Sequence, residues 1–386
     1  MIEKRKNEWW NINNILEKNA QWNMVFGKRS NGKSYGVREY VVKEALKQID
    51  KPEGVEKNRL FYLRRFSDDV TIFGVNKYFE DFIKIERNEK MNKIQKLSNN
   101  RFNSIKVAKN KIWVININDE GEETDRYHIG YYNSIGNAER IKSHGYFDVK
   151  NIVFEEFIAS SKPYLAHEPE LLENIISTIA RNREAKVFMI GNNDSRDCIY
   201  FNYFGLDHIR KQKPGTIDVY EKETEEYDEL DNPLVVRFAV EYCGNNVKSS
   251  GMFFGKAKQR IDGGEWTART HPKLKKEKIE QSEEIYRFVV DYHNFMYLCL
   301  LMVDIITGDY YYYISPKTTK IKPFTRVICD RPVINQWYSN NFNGINNGEK
   351  IAFDILRNGN IFYSDDLTGE EFERALKYFK IITWGE

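Results

Sequence analysis

Residues 27–34 read GKRSNGKS, a G-x-x-x-x-G-K-S spacing entered from the apolar run Trp22-Asn23-Met24-Val25-Phe26 and left through Tyr35-Gly36-Val37. Gly27 and Gly32 let the backbone curl, so that the successive N–H groups of Lys28, Arg29, Ser30 and Asn31 turn inward on phosphate oxygens. Lys33 has the reach to bridge the β- and γ-phosphates, and the Ser34 hydroxyl is a ligand for Mg²⁺. The plainer reading is a Gly/Asn/Ser turn. The strand-like run before the loop and the helical pattern after it favour the phosphate cradle.

Binding a nucleotide and hydrolysing it are different tasks. Hydrolysis needs a carboxylate on the metal side and a group that polarises the attacking water, both at the end of a buried strand. Ile152-Val153-Phe154-Glu155-Glu156 offers that arrangement. Glu155 would hold Mg²⁺, directly or through water, and Glu156 would act as general base; the alternative is a pair of acids capping a surface strand. A cation is also needed for the charge that develops on the γ-phosphate. Arg181-Asn182-Arg183 ends an amphipathic stretch downstream, where arginines also suit a helix C-terminus for dipole reasons alone. Arg181 is the first candidate and Arg183 the next. Gly191-Asn192-Asn193-Asp194 follows another apolar run. It reads either as an amide that senses the γ-phosphate or as an ordinary turn.

These groups need elements to carry them. The front half alternates short apolar runs with amphipathic stretches, as βαβ units do. Strands are expected at Met24–Phe26, Leu60–Leu63, Asn151–Phe154 and Lys186–Ile190. Two more, Lys111–Asn118 and Arg126–Tyr132, join through the acidic turn Asp119-Glu120-Gly121-Glu122. Helices are expected over Ser34–Gln48 and Pro169–Arg181. The acidic run Glu221 to Asp231 reads as an exposed connection. Strand character returns at Tyr286–Val290, Phe295–Val303 and Tyr310–Ile314, with a turn at Thr307-Gly308-Asp309. A closing helix is expected over Thr368–Ile382 with Thr368 as its N-cap. No internal repeat is visible.

The bulk numbers exclude several classes. At 41% hydrophobic and 30% charged residues, the 386-residue chain reads as globular rather than disordered. A formal net charge of +2 leaves nucleic-acid contact to local patches. The longest apolar zone, Phe295 to Ile306, is broken by Asp304 and too short for a bilayer, and MIEKRKNEWWNINN has no apolar signal core. Cys198, Cys243, Cys299 and Cys329 are far apart and form no CxxC, so neither a disulfide framework nor a zinc site is expected, and a reducing cytosol fits.

The order loop, Glu-Glu strand, Arg-Asn-Arg-Glu, strand ending in Asn resembles the DNA-packaging ATPases of phi-29-like phages. These belong to the additional-strand P-loop class, with terminases and FtsK/HerA-type motors. Gly27 to Tyr35 is similar to the family's Walker A segment, including Arg29 and the Gly-Lys-Ser-Tyr ending. Phe61-Tyr62-Leu63-Arg64-Arg65-Phe66 resembles its second strand, which ends in a double arginine. Ile152 to Phe157 resembles its Walker B strand, with Glu155 where the family has Asp. Arg181-Asn182-Arg183-Glu184 matches the stretch whose first arginine is a finger supplied in trans. Asn192 matches the post-strand Asn. Lys142-Ser143 matches a Lys-Ser whose lysine contacts nucleotide across the subunit interface.

The resemblance is clear over about residues 20–195 and implies the rest of the expectation. An α/β P-loop ATPase domain spans 1–210, a linker 211–280, and an α+β RNase H-like domain without nuclease activity 281–386. ATP and Mg²⁺ are the cofactors. The partners are non-sequence-specific double-stranded DNA, further copies of the chain in a pentameric ring, the portal of the prohead, and a structural packaging RNA; no membrane is involved. The place of action is the portal vertex in the cytoplasm of the infected bacterium, outside the mature virion. The residues themselves leave alternatives open: a terminase whose C-terminal domain still cuts, or a nucleotide-gated scaffold that does no DNA work. Asp291, Asp304, Asp309, Asp330 and Asp354 are the acids a two-metal nuclease would draw on, although Asp304 and Asp309 flank a turn that favours Asp locally. Lys90, Lys93, Lys96, Arg101, Lys106, Lys109 and Lys111 are a candidate DNA-backbone stretch or a solvated surface. Lys273 to Lys278 and Lys317 to Lys322 could face RNA, DNA or the portal.

Overall fold

The computed structural model describes residues 9–52, 57–142, 145–159, 164–181, 183–193, 198–227, 231–244, 270–292, 295–330 and 332–379. The chain divides into two compact units, Met1–Glu265 and Trp266–Glu386.

The first unit is built on one sheet of nine strands. In chain order these are β1 (Trp22–Gly27), β2 (Arg59–Arg64), β3 (Ser104–Ala108), β4 (Lys111–Ile117), β5 (Glu123–Ser134), β6 (Val149–Glu155), β7 (Lys186–Asn192), β8 (Thr216–Tyr227) and β9 (Pro233–Tyr242). Their spatial order is β3-β4-β5-β2-β6-β7-β1-β9-β8. From β5 to β9 all neighbours are parallel. The outer strands β3, β4 and β8 pair antiparallel. Strands β1, β2, β6 and β7 are near-continuous apolar runs because both of their faces are covered. On one face the helix Lys33–Leu46 packs Val37, Val41, Val42 and Ala45 against Leu60, Tyr62, Val153, Phe188 and Ile190. Alternate residues point the other way: Phe61 meets Tyr146 edge-on at 5.0 Å and Phe154 meets Tyr200 at 5.8 Å. The helix Glu168–Ala180 buries Leu172, Ile175 and Ile179. Each such fully buried side chain contributes about 1.5–3 kcal/mol of transfer free energy. Strand β7 follows β6 in sequence and inserts between β6 and β1, so it separates the loop strand from the Glu-Glu strand.

The expected strands and helices of this half are present with bounds shifted by a few residues. The acidic connection is a correction. Residues 221–227 of that run belong to β8, and the antiparallel pair β8–β9 completes the sheet. The misleading feature is that β8 is an edge strand with no fully buried residue, and charge on an edge strand guards against unwanted pairing. Its partner β9 buries Phe238, Ala239, Val240 and Tyr242 beside β1. The first unit therefore runs well past residue 210, into the span read as linker.

The second unit carries β10 (Ser282–Tyr292), β11 (Phe295–Asp304), β12 (Tyr310–Pro316), β13 (Arg326–Ile328), β14 (Trp337–Ser339) and β15 (Ile361–Tyr363). Their order is β14-β13-β10-β11-β12-β15, with an antiparallel trio β10-β11-β12 at its centre. The helices Asn347–Arg357 and Asp366–Tyr378 bury Phe353, Leu356, Phe372 and Leu376 among Phe288, Val290, Tyr297, Leu301 and Tyr312 of the sheet. The last helix is capped by Asp365 rather than Thr368: the Asp365 carboxylate accepts from Thr368 N at 2.8 Å, which puts Thr368 in the first turn.

Candidate nucleotide site

Four parallel strands end side by side at one edge of the large sheet: β2 at Arg64, β6 at Glu155, β7 at Asn192 and β1 at Gly27. The carboxyl ends of parallel strands are where open α/β sheets bind ligands. The loop between β1 and the helix Lys33–Leu46 has the backbone its glycines permit, with φ of 149° at Gly27 and 95° at Gly32. A Cβ on Gly27 would lie 2.9 Å from Cβ of Cys243, so the position admits nothing larger. Asn192 pairs with Gly27 across the β1–β7 ladder, and Asn193 N donates to Gly27 O at 3.3 Å. Asp194 lies outside the described residues.

Lys33 is buried and folded back into its own loop. Its ammonium donates to Gly27 O (3.1 Å), Lys28 O (2.7 Å) and Asn31 Oδ1 (3.2 Å). Ser34 Oγ donates to Glu155 Oε2 at 3.0 Å, and Tyr78 OH donates to Glu155 Oε1 at 3.1 Å. A hydroxyl and a carboxylate in contact are a hard-oxygen pair of the kind Mg²⁺ takes alongside phosphate, so Ser34 and Glu155 fit the expected metal. Burial pushes the Glu155 carboxyl above its ordinary value, against the Ser34 hydrogen bond and the Arg64 charge.

Glu156 differs from its neighbour in every respect. Its side chain is exposed and its oxygen takes Arg64 Nη2 at 2.7 Å. Its φ of 60° is in the left-handed region, which costs a non-glycine residue about 1–2 kcal/mol. Arg65 holds that bend. Its Nη1 donates to Glu156 O (3.1 Å), its Nη2 to Phe157 O (2.9 Å), and its Nε to both oxygens of Glu168 (2.9 and 2.7 Å). Glu168 is fully buried and also accepts from Tyr200 OH (2.8 Å) and Leu165 N (2.8 Å). Neither the pairing of Arg64 with Glu156 nor the Arg65–Glu168 clamp is readable from spacing, since their partners are 92 and 103 residues away. The double arginine enters the sequence reading only through the family resemblance.

Glu241 was not anticipated either. It lies on β9 opposite Val25 of β1, and burial raises its carboxyl to about 7 against the opposing pull of Trp10 and Lys33. Trp10 N donates to Asn31 O at 3.0 Å, so the N-terminal segment is tied to the loop.

The remaining expected residues lie elsewhere. Arg181 is exposed at the end of the helix Glu168–Ala180, with its guanidinium 5.2 Å from the Phe147 ring. That helix runs back from the carboxyl edge, so Arg181 lies at the opposite edge, a full length of β7 from its own loop. Seven residues of strand span about 23 Å. Arg183, the next candidate, donates to Ile179 O (2.6 Å), Ala180 O (3.0 Å), Tyr146 O (3.0 Å) and Phe147 O, stapling the helix end. Asn182 and Ser143 are outside the described residues, and Lys142 is placed only as the last residue of a short helix, Ala138–Lys142. The basic 90–111 stretch has acidic partners from other elements: Lys93 with Glu39, Lys96 with Glu89, Arg101 with Asp50 and Asp125, Lys106 with Glu123. The uninterrupted charge seen along the sequence is therefore largely compensated in space. In the second unit Lys273 pairs with Asp366 and Lys278 with Asp304. Among the described residues no three His, Cys, Asp or Glu side chains are grouped to hold a metal, and no helix is long and apolar enough to cross a membrane.

This is a mixed α/β protein with a glycine-bent loop and two carboxylates at the carboxyl edge of a largely parallel sheet. The profile of the Podovirus DNA encapsidation protein (Gp16) family matches residues 4–230, and the chain belongs to that family. A "DNA packaging protein" of Bacillus phage B103 is 27% identical over 187 residues, 48% of each chain. The protein of the same description from Bacillus phage phi29 is 24% identical over 204 residues, 52% of this chain and 51% of that one. The chain thus spans about half the length of the curated relatives it matches. A chain of the bacteriophage Phi-29 viral genome packaging motor assembly shares the fold, with a TM-score of 0.51 at 17% identity over 96% of this chain and 99% of that chain.

Proposed function

We propose that this protein is the ATPase of a phage DNA-packaging motor, a ring of identical subunits that hydrolyses Mg-ATP and drives double-stranded DNA through the portal into the prohead. The observation that carries the reading is the meeting of Lys33, Ser34, Glu155, Glu156 and Asn192 at adjacent strand ends, with Arg181 a strand's length away. Family membership and the packaging relatives support the DNA-translocating role. The insertion of β7 between β1 and β6 supports the additional-strand P-loop class. In this site the loop amides from Lys28 to Asn31, with Gly27, Gly32 and Tyr35 shaping it, cradle the phosphates. Lys33 leaves its carbonyl partners for phosphate oxygens. Ser34 and Glu155 would hold Mg²⁺, which when bound with ATP would neutralise phosphate charge. Glu156 takes the proton from the attacking water, and that requires it to leave Arg64. Asn192 reports the γ-phosphate to the segment after β7. Arg181 is too far from its own loop to act there, so it serves the next subunit's, with Lys142 on the same interface.

For the second unit we propose an RNase H-like fold that docks rather than cuts. A mixed sheet with two helices on one face supports the fold. Asp304 supports the non-cutting reading, because its carboxylate accepts from Ile306 N and Thr307 N of its own turn.

ATP hydrolysis by the purified protein, with and without double-stranded DNA and proheads, tests the reading. Strong stimulation is expected, and Glu156→Gln should lower it about 10²- to 10⁴-fold while ATP still binds. Turnover indifferent to DNA and proheads would remove the motor and leave an ATPase. Metal-dependent DNA cutting without ATP would instead favour a terminase.

A further inference from the structure

Tyr78 stands on the helix Ile72–Ile83, which contributes nothing to the loop or to the Glu-Glu strand. Yet its hydroxyl is 3.1 Å from Glu155 Oε1, while Ser34 takes Oε2. The two donors are of different kinds. Ser34 stands in the first turn of the helix that follows the loop and is itself a metal ligand in the reading above. Tyr78 is anchored from outside: its ring stacks on Tyr62 at 4.4 Å and meets Phe79 edge-on at 5.0 Å. The Arg38 guanidinium lies 4.6 Å from the same ring and is held in turn by Asp81 at 3.1 Å. In this contact the phenol O–H is the donor and the carboxylate the acceptor. A glutamate carboxylate sits at the end of a flexible side chain, and that freedom must be removed if it is to hold a fixed position.

We propose that Tyr78 is the positioning residue that fixes the Glu155 carboxylate for Mg²⁺, pinning Oε1 so that Oε2 stays on the Ser34 side. The inference rests on the Mg-ATP reading of the site. Partners of this kind orient metal-binding carboxylates, and their loss costs about 10- to 100-fold in metal affinity or activity.

The test uses the full chain and Mn²⁺ as a paramagnetic stand-in for Mg²⁺, measured with a non-hydrolysable ATP analogue. Tyr78→Phe keeps the ring stack and removes only the donor. It should weaken Mn²⁺ in the ternary complex, and raise the Mg²⁺ needed for half-maximal turnover, about tenfold. Analogue binding in EDTA should not change. In a Glu155→Asp background the shorter carboxylate leaves the reach of Tyr78, so Tyr78→Phe should add little there. Wild-type protein that binds neither analogue nor Mn²⁺ would overturn the Mg-ATP reading and this inference with it. Wild-type protein that binds both, with Tyr78→Phe indistinguishable from it, would overturn the inference alone. An equal loss of analogue affinity with and without metal would make Tyr78 merely structural, and would also overturn it.

Discussion

Glu155 and Glu371 are both largely buried carboxylates that accept a tyrosine hydroxyl, Tyr78 at 3.1 Å and Tyr297 at 2.9 Å. They belong to different kinds of construction. Around Glu155 the donors arrive from two separate helices, Lys33–Leu46 and Ile72–Ile83, at the edge of the sheet where several strands end together. Glu371 joins the inner face of its helix to the sheet beneath. The same is true of Glu349, which accepts from Tyr286 OH (3.0 Å) and from Ile345 N (2.8 Å). The first unit gathers polar groups from distant elements to one edge, whereas the second spends them joining neighbouring elements within its own frame. A carboxylate of the first kind stands at the edge where the proposed ligand would sit; one of the second kind ties neighbouring elements together.

That contrast predicts a graded set of outcomes. The largest belongs to Arg181. Arg181→Ala should lower turnover in the assembled ring about 10³-fold or more without changing ATP affinity, read by single-turnover hydrolysis beside equilibrium binding. Lys33→Ala should remove nucleotide binding itself. Next comes the clamp beneath the Glu-Glu bend. Arg65→Met strands the fully buried Glu168 charge and should cost about 3–5 kcal/mol, visible as a lower midpoint in urea. If stability were unchanged, the bend at Glu156 would not depend on Arg65.

Glu241 gives a pH dependence. Its carboxyl is raised in the folded chain to about 7, so between its ordinary range near 4.5 and about 7 the folded state binds more protons than the unfolded one. Stability contributed at this position therefore falls as pH rises through that window. Glu241→Gln should stabilise the protein by about 3 kcal/mol above pH 7 and by almost nothing near pH 4.5. A pH-independent gain would mean that Glu241 is solvated. The smallest effect is assigned to the second unit: Asp365→Ala removes a helix cap worth about 1 kcal/mol and should leave ATP turnover unchanged. A large loss of turnover would break the division between the two units.

The loop, the Glu-Glu strand end and most elements of the first unit were legible in sequence, because a glycine-spaced lysine and a strand buried on both faces leave local marks. The β8–β9 pair was not, since a charged edge strand has the composition of a linker. The pairing of the 90–111 lysines, the Arg65–Glu168 clamp and the approach of Tyr78 to Glu155 are meetings of residues far apart in the chain, and nothing local encodes them. Thr368 shows the same limit at short range: Thr and Asp both cap helices, and only the direction of the chain at Asp365 decided between them.

The most direct measurement mixes two inactive subunits. Arg181→Ala retains its own loop and base; Glu156→Gln retains its finger. Combined on proheads with DNA, about a quarter of the interfaces in an equal mixture place an intact finger against an intact site. With a finger supplied by the neighbour, the mixture should hydrolyse ATP well above the sum of the two alone. A mixture no more active than its components, with both variants binding ATP and assembling, would contradict a site completed by the neighbouring subunit.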